Sequence, residues 1–90
     1  PFQLNTQKIN IAFAGRLELQ KGIDIFLELM SSLPAELKEK FHFHIIGDGI
    51  FKPQVSAFCN SNTFCTYYGP VSNLANKLYC FDYICMTSRY

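Results

Sequence analysis

The sequence INIAFAGRLELQKG, from Ile9 to Gly22, carries the strongest structural signal in the chain. An apolar, β-branched run reaches Gly15, and the cation Arg16 follows at once. A second cation, Lys21, precedes a new apolar pattern with helical spacing. This order predicts a buried strand, a loop, and a helix whose first turn has unpaired N–H groups and the positive end of the helix dipole. We therefore expect the loop to bind a diphosphate between its two cations.

The overall composition is that of one globular domain. The chain has 90 residues, of which 49% are hydrophobic and 16% aromatic, enough for an apolar core. Its net charge of +1 gives no broad electrostatic field for nucleic acid or an anionic membrane. No apolar run approaches the ~20 residues of a membrane-spanning helix. These observations predict a globular protein that does not bind nucleic acid.

Cysteines and histidines raise the question of metal binding. The four cysteines are Cys59, Cys65, Cys80 and Cys85. Their spacings match no zinc motif, so we expect reduced, mostly buried thiols in a reducing compartment. Cys59 is predicted to be the most exposed thiol, with no neighbour that would activate it. His42 and His44 point to one face of a strand, but two histidines without a third ligand do not predict a metal site.

Hydrophobic periodicity predicts alternating strands and helices after a polar lead-in at residues 1–7. Strands are predicted at 8–14, 41–46, 63–68 and 82–86, and helices at 22–33, 34–40, 50–58 and 72–80, the last with Ser72 as its N-cap. The resulting β-α-β-α-β-α-β pattern predicts an α/β fold with a Rossmann-like parallel sheet and right-handed crossovers. The expected strand order is 3-2-1-4.

Four loops are predicted to meet at the carboxyl edge of this sheet, where ligands bind in such folds. They are Gly15-Arg16, Gly47-Asp48-Gly49, Gly69-Pro70-Val71 and Thr87-Ser88. The first loop has neither the Gly-x-Gly-x-x-Gly pattern of dinucleotide-binding proteins nor a Walker motif. The sequence therefore predicts a diphosphate-binding crevice of another kind.

Several short motifs occur together in a recognisable order. They are Gly15-Arg16, Lys21-Gly22-Ile23-Asp24, Ile45-Ile46-Gly47-Asp48-Gly49, Tyr68-Gly69-Pro70-Val71 and Asp82-Tyr83-Ile84, followed by Ser88. In this order the chain resembles the C-terminal, donor-binding domain of the family-four glycosyltransferases, which are retaining enzymes of the GT-B fold. The resemblance covers residues 9–88 and implies that residues 8–90 are an incomplete nucleotide-sugar-binding domain.

The resemblance implies roles for individual residues. Arg16 and Lys21 would be catalytic, because fixed cations at the donor diphosphate stabilise the departing nucleotide. The expected nucleotide-sugar-binding residues are Gly15, Arg16, Lys21, Gly47, Asp48, Gly49, Val71, Asn73 and Ser88. Gly15 would let the backbone approach the phosphates, the Gly47–Gly49 turn would form the pocket floor, and Val71 would contact the base. No metal or other cofactor is implied.

The resemblance also implies a whole-protein activity. The intact enzyme would move a sugar from a UDP-, GDP- or ADP-sugar to a hydroxyl of a sugar, a glycan or a lipid-linked acceptor. It would be cytoplasmic, and peripheral contact with the cytoplasmic membrane face is compatible with it. The paired glutamates of the family are expected after Tyr90, and the acceptor domain before residue 1. We therefore expect this 90-residue chain alone to be inactive.

Other interpretations of the same residues remain open. The whole chain could be a non-catalytic nucleotide-binding or interaction module with the same fold. A flavodoxin-like signalling domain would need an acidic pocket where Gly15 and Arg16 stand. Arg16 and Lys21 could be solvated surface cations, Asp48 a plain turn residue, and Val71 a packing residue. Tyr67 and Tyr68 could stack on a base or simply pack.

Overall fold

The chain forms a four-stranded parallel sheet in a computed structural model that describes residues 2–18 and 22–85. The strands are β1 (Ile9–Ala14), β2 (Phe41–Ile46), β3 (Cys65–Gly69) and β4 (Tyr83–Cys85), and the helices are α1 (Ile23–Ser32), α2 (Ala35–Lys40) and α3 (Lys52–Ser61). Neighbouring strands pair in parallel in the order β3-β2-β1-β4. The predicted α/β class and strand order are confirmed.

The larger core lies between the sheet and helices α1 and α3. Phe13 and Ile45 point from the strands into it, and Ile23, Met30 and Val55 reach it from the helices. All five side chains are fully buried. The predicted apolar stripe of α1 therefore packs on the sheet, as its spacing indicated.

The opposite face of the sheet is covered by irregular segments. Ala12, Ile46 and Phe81 form its buried centre. Phe2, in the lead-in, packs edge-on against Tyr68 and in a tilted contact against Phe81, with ring centroids 5.0 Å and 4.8 Å apart. The lead-in before β1 thus contributes to the second core.

The predicted helix at residues 72–80 is wrong. Two short 3₁₀ turns, Leu74–Asn76 and Leu78–Cys80, take its place. Asn73 has a left-handed backbone conformation, with φ 54°, so a helix cannot begin at Ser72. The apolar side chains of Leu74, Leu78 and Phe81 still pack on the sheet. Hydrophobic spacing located the covered face correctly but gave the wrong kind of helix.

Other element bounds shifted by a few residues. Helix α3 begins at Lys52 rather than Ile50, because a turn precedes it in which the Lys52 N–H donates to the Gly49 carbonyl at 3.1 Å. Pro53 lies in the first turn of α3, where a missing N–H costs nothing. None of the helices in the described residues is long and apolar enough to cross a membrane.

A buried histidine organises the polar part of the second face. Asn10 donates from its side-chain amide to the carbonyls of Asn5 and Lys8, so its Oδ1 is the acceptor for His44 Nε2 at 2.9 Å. The proton of the neutral ring therefore lies on Nε2, and Nδ1 accepts from the Tyr68 hydroxyl at 2.8 Å. Burial, with a smaller contribution from His42, lowers the pKa of His44 to about 4.

His42 lies on the same face of β2 as His44, as predicted. Their ring centroids are 4.8 Å apart. His42 Nε2 is 2.7 Å from the Thr66 hydroxyl, and burial followed by the charge of Lys8 lowers the pKa of His42. Within residues 2–18 and 22–85, no three side chains of the metal-binding types form a cluster that could hold an ion.

Candidate functional site

Two adjoining cavities open at the carboxyl edge of the sheet. The first has a volume of about 310 Å³ and is lined by Gly15, Arg16, Ile46, Gly47, Asp48, Pro70, Val71 and Leu74. The second has about 450 Å³ and is lined by Arg16, Glu18, Asp48, Gly49 and Ile50. Loops after three different strands therefore bring six of the predicted site residues together.

The loops after β1 and β2 touch through their backbones. The Gly15 N–H donates to the Ile46 carbonyl at 3.1 Å, and the Gly47 N–H donates to the Gly69 carbonyl at 2.9 Å. A Cβ atom at Gly47 would lie 1.8 Å from the Gly15 carbonyl oxygen, so only glycine fits there. A Cβ at Gly15 would meet nothing within 4 Å. The backbone at Gly15 is thus open on the side that a bound ligand could approach.

Leu17 anchors the loop that carries Arg16. Its side chain is fully buried, its N–H donates to the Asp48 carbonyl at 3.0 Å, and its carbonyl accepts from Phe51 N–H at 3.0 Å. A Cβ at Gly49 would lie 2.6–2.9 Å from the Leu17 backbone. The β1 loop is therefore fixed against the β2 loop. Sequence reasoning missed this anchor, although an apolar residue within a polar loop was a usable signal.

Arg16 is positioned at both cavities but already has an anionic neighbour. Its Nε donates to the Glu18 carboxylate in an ion pair. The Arg16 side chain is 71% exposed and that of Glu18 is 24% exposed. Because such surface pairs contribute only ~0–1 kcal/mol, a ligand phosphate can displace Glu18. Among the described residues that line the cavities, Arg16 is the only cation, beside the carboxylates of Glu18 and Asp48.

Tyr67 contacts the turn that contributes Gly47 to the first cavity. Its hydroxyl donates to the Gly47 carbonyl at 2.6 Å. Burial, followed by the charges of Asp48 and Cys59, raises the pKa of Tyr67, so the hydroxyl keeps its proton and its donor role. Sequence reasoning considered base stacking or plain packing for this residue. Its contact with the Gly47 turn is a third role.

The remaining predicted residues fall into different places. Asp48 Oδ1 accepts from Gly49 N–H at 2.9 Å, which is a contact within the turn. Asp48 also lines both cavities. Val71 lines the first cavity and packs on the second core. Asn73 starts a 3₁₀ turn and is not part of the lining of these two cavities. Lys21 and Ser88 lie outside the described residues, so their roles stay predictions.

Comparison with known families identifies this arrangement. The profile of a family described as Glycosyl transferases group 1 matches residues 8–90, nearly the whole chain. The chain belongs to the glycosyl transferases group 1 family. The predicted family is thereby confirmed. No curated protein sequence gave a significant match to the chain.

Solved structures of glycosyltransferases with the GT-B fold share the architecture. WaaG, a glycosyltransferase involved in lipopolysaccharide biosynthesis, matches with a TM-score of 0.72 and 15% identity over 94% of this chain. The lipopolysaccharide outer core galactosyltransferase WaaB matches with a TM-score of 0.69 and 18% identity over 98% of this chain. TarM matches with a TM-score of 0.70 and 25% identity over 100% of this chain. The chain covers only 24%, 26% and 18% of these three structures, respectively.

Proposed function

We propose that this chain is the nucleotide-sugar-binding part of a retaining glycosyltransferase. The donor would be a UDP-, GDP- or ADP-sugar, and the acceptor a hydroxyl of a sugar, a glycan or a lipid-linked molecule. The intact protein would be a cytoplasmic hexosyltransferase in which a further domain binds the acceptor. The observation that carries this proposal is the cavity that joins Gly15, Arg16, Gly47 and Val71 at the carboxyl edge of the sheet.

The geometry supports a diphosphate at the β1 loop. Arg16 presents an exposed guanidinium there, and the Gly15 backbone has open space in front of it. Guanidinium groups bind phosphate oxygens in a bidentate fashion, and the contact strengthens as negative charge grows on the leaving diphosphate. Arg16, together with Lys21, would thus do the electrostatic work that a metal ion does in other transferases.

The base would lie next to this diphosphate. Val71 and Pro70 are apolar lining residues of the same cavity, which Gly47 also lines. Among the similar structures, one of S. aureus TarM is a complex with UDP, with 24% identity and a TM-score of 0.69. That neighbour supports a nucleoside diphosphate as the ligand class for this cavity.

Calorimetric titration with UDP, GDP and ADP tests the proposal. The longest natural form of the protein should bind one of them without added metal, in the presence of a chelator. Arg16→Ala should weaken that binding by ~1.5–3 kcal/mol, or about ten- to hundred-fold, because a charge-assisted phosphate contact is lost. Lys40→Ala removes an equal charge at the end of α2 and should leave the affinity unchanged.

Two outcomes would contradict the proposal in different ways. If a folded protein binds none of the three nucleotides, the donor site is absent. If it binds one of them but neither transfers nor hydrolyses the matching nucleotide sugar, the chain is a non-catalytic nucleotide-binding module, which is the alternative function.

A further inference from the structure

Two cysteines meet where helix α3 passes into strand β3. Cys59 lies near the end of α3, and Cys65 is the first residue of β3. Both side chains line one small cavity of about 230 Å³. Cys65 is part of the larger apolar core, and Cys59 packs against that core. A short connection thus brings two thiols to one cavity, which shares no lining residue with the two cavities of the proposed donor site.

The two thiols differ in exposure and acidity. Cys59 is partly exposed, so a reagent in solution can reach it, whereas Cys65 is only 5% exposed. A hydrogen bond from the Cys65 thiol lowers the pKa of Cys59, and the same contact, together with burial, raises the pKa of Cys65. The thiolate therefore forms on the accessible member of the pair. The expectation that Cys59 has no activating neighbour is wrong, because sequence spacing does not show this contact.

We propose that Cys59 and Cys65 are a redox-active thiol pair, which low-molecular-weight disulfides such as glutathione disulfide convert into an intramolecular disulfide. Cys59 is the attacking sulfur and Cys65 the resolving one. This modification site is independent of the nucleotide-binding proposal, because it rests on a different cavity.

The chemistry proceeds in two balanced exchange steps. The Cys59 thiolate attacks one sulfur of glutathione disulfide, breaks its S–S bond and releases one glutathione thiolate. Cys65 then loses its proton to that thiolate and attacks the Cys59 sulfur of the mixed disulfide, which releases the second glutathione. The hydrogen bond to the Cys59 thiolate is the main cause of the raised pKa of Cys65, and modification of Cys59 removes that thiolate. The two protein thiols are oxidised by two electrons, and glutathione disulfide is reduced to two glutathione molecules.

The other two cysteines provide an internal control. Cys80 packs on the second face of the sheet, while Cys85 packs against the larger core on the first. Both are partly exposed, like Cys59. They are close in sequence but separated by the sheet, so the folded protein should not join them.

Peptide mapping after redox equilibration tests the pair. The native protein is incubated in glutathione buffers of increasing disulfide content, quenched with acid, alkylated and digested with trypsin. Because Pro53 protects the bond after Lys52, one tryptic peptide, 41–77, holds both Cys59 and Cys65, and peptide 78–89 holds the control pair. Mass spectrometry then distinguishes two alkylated thiols from a disulfide, which lacks both labels and two hydrogens.

We expect the disulfide in peptide 41–77 at a glutathione disulfide concentration at least about ten-fold below that needed for peptide 78–89. In denaturant, both pairs should oxidise alike, since only the fold distinguishes them. The Cys65→Ser variant should stop at a glutathione adduct on Cys59. The proposal is overturned if, in the native protein, peptide 41–77 keeps both labels or oxidises no more readily than peptide 78–89. This comparison within the native protein decides the question even if the variant fails to fold.

Discussion

Acidification should destabilise the protein through His44. In the folded chain His44 is buried with both ring nitrogens hydrogen-bonded, and its pKa is lowered from the ordinary 6.5 to about 4. His44 binds a proton more readily in the unfolded chain than in the folded one. The free energy of unfolding is therefore highest above about pH 6.5 and declines as the pH falls towards 4. The pKa difference corresponds to about 3 kcal/mol in total, and to about 2 kcal/mol between about pH 7.5 and about pH 5.

The reason for this sensitivity lies in the hydrogen-bond directions. Nδ1 of His44 accepts the proton of the Tyr68 hydroxyl, and that hydroxyl accepts from the Gln3 N–H at 3.1 Å. A proton on Nδ1 would place two donors against each other and force the Tyr68 hydroxyl to turn away. Protonation of His44 would then weaken the attachment of the lead-in to the sheet over the same pH range in which it destabilises the fold.

Urea unfolding followed by circular dichroism measures the effect. The free energy of unfolding is determined at about pH 7.5 and about pH 5 for the natural protein and for His44→Gln, which cannot titrate. Carboxylates titrate in both proteins, so the difference between their pH dependences isolates His44. We expect the natural protein to lose about 2 kcal/mol more than the variant over this range. His42→Gln, at a partly exposed site, should abolish less of the pH dependence.

A second measurement uses only the natural protein and so does not depend on whether His44→Gln folds. The imidazole resonances of His44 in the natural protein should titrate with a midpoint near pH 4 rather than near the ordinary 6.5. A His44 that titrates near 6.5, or a variant with the same pH dependence as the natural protein, would refute the reasoning.

Three further predictions concern the proposed site. Gly49→Ala should lower the free energy of unfolding by ~1–3 kcal/mol in urea titrations, because its Cβ would lie within 2.9 Å of the neighbouring loop backbone. Tyr67→Phe should cost ~1 kcal/mol in the same assay and weaken nucleotide binding, because the contact with the Gly47 carbonyl is lost. Glu18→Gln should tighten nucleoside diphosphate binding up to about five-fold in calorimetry at low salt, because Arg16 no longer pairs with a carboxylate.

Matched controls make these outcomes specific. Gly15→Ala meets no atom within 4 Å and should destabilise less than the change at Gly49. Tyr79→Phe changes a side chain that is 87% exposed and should be neutral. Glu36→Gln removes an equal charge from α2 and should leave nucleotide affinity unchanged. If a control variant changes stability or affinity as much as the variant it is paired with, the role assigned to the corresponding contact is wrong.

The sequence predicted the sheet because its signals are local and strong. Strand β2 has the predicted bounds, since an apolar run ends at a Gly-Asp-Gly turn. Alternation with helices indicated parallel pairing, and the expected order 3-2-1-4 came from the Rossmann-like pattern, which the structure confirms. The helix expected at 72–80 failed because a single residue, Asn73, adopts a left-handed conformation that hydrophobic spacing cannot show.

The site was predicted only in part, for a different physical reason. The positions of Gly15, Arg16 and Gly47 at one edge follow from topology, which places loop ends together. The roles of Leu17 and Tyr67 depend on contacts between loops or strands that are distant in sequence. Such contacts have no periodicity in the chain, so they became visible only in three dimensions.

The location of the nucleotide tests the central claim most directly. Backbone amide resonances of the protein are followed by NMR while UDP, GDP or ADP is added. We expect saturable shifts for one nucleotide at Gly15, Gly47 and Val71, around the cavity that Arg16 lines. Shifts elsewhere, for example in the lead-in beside His42, or no shift at any nucleotide concentration in a folded protein, would contradict the claim.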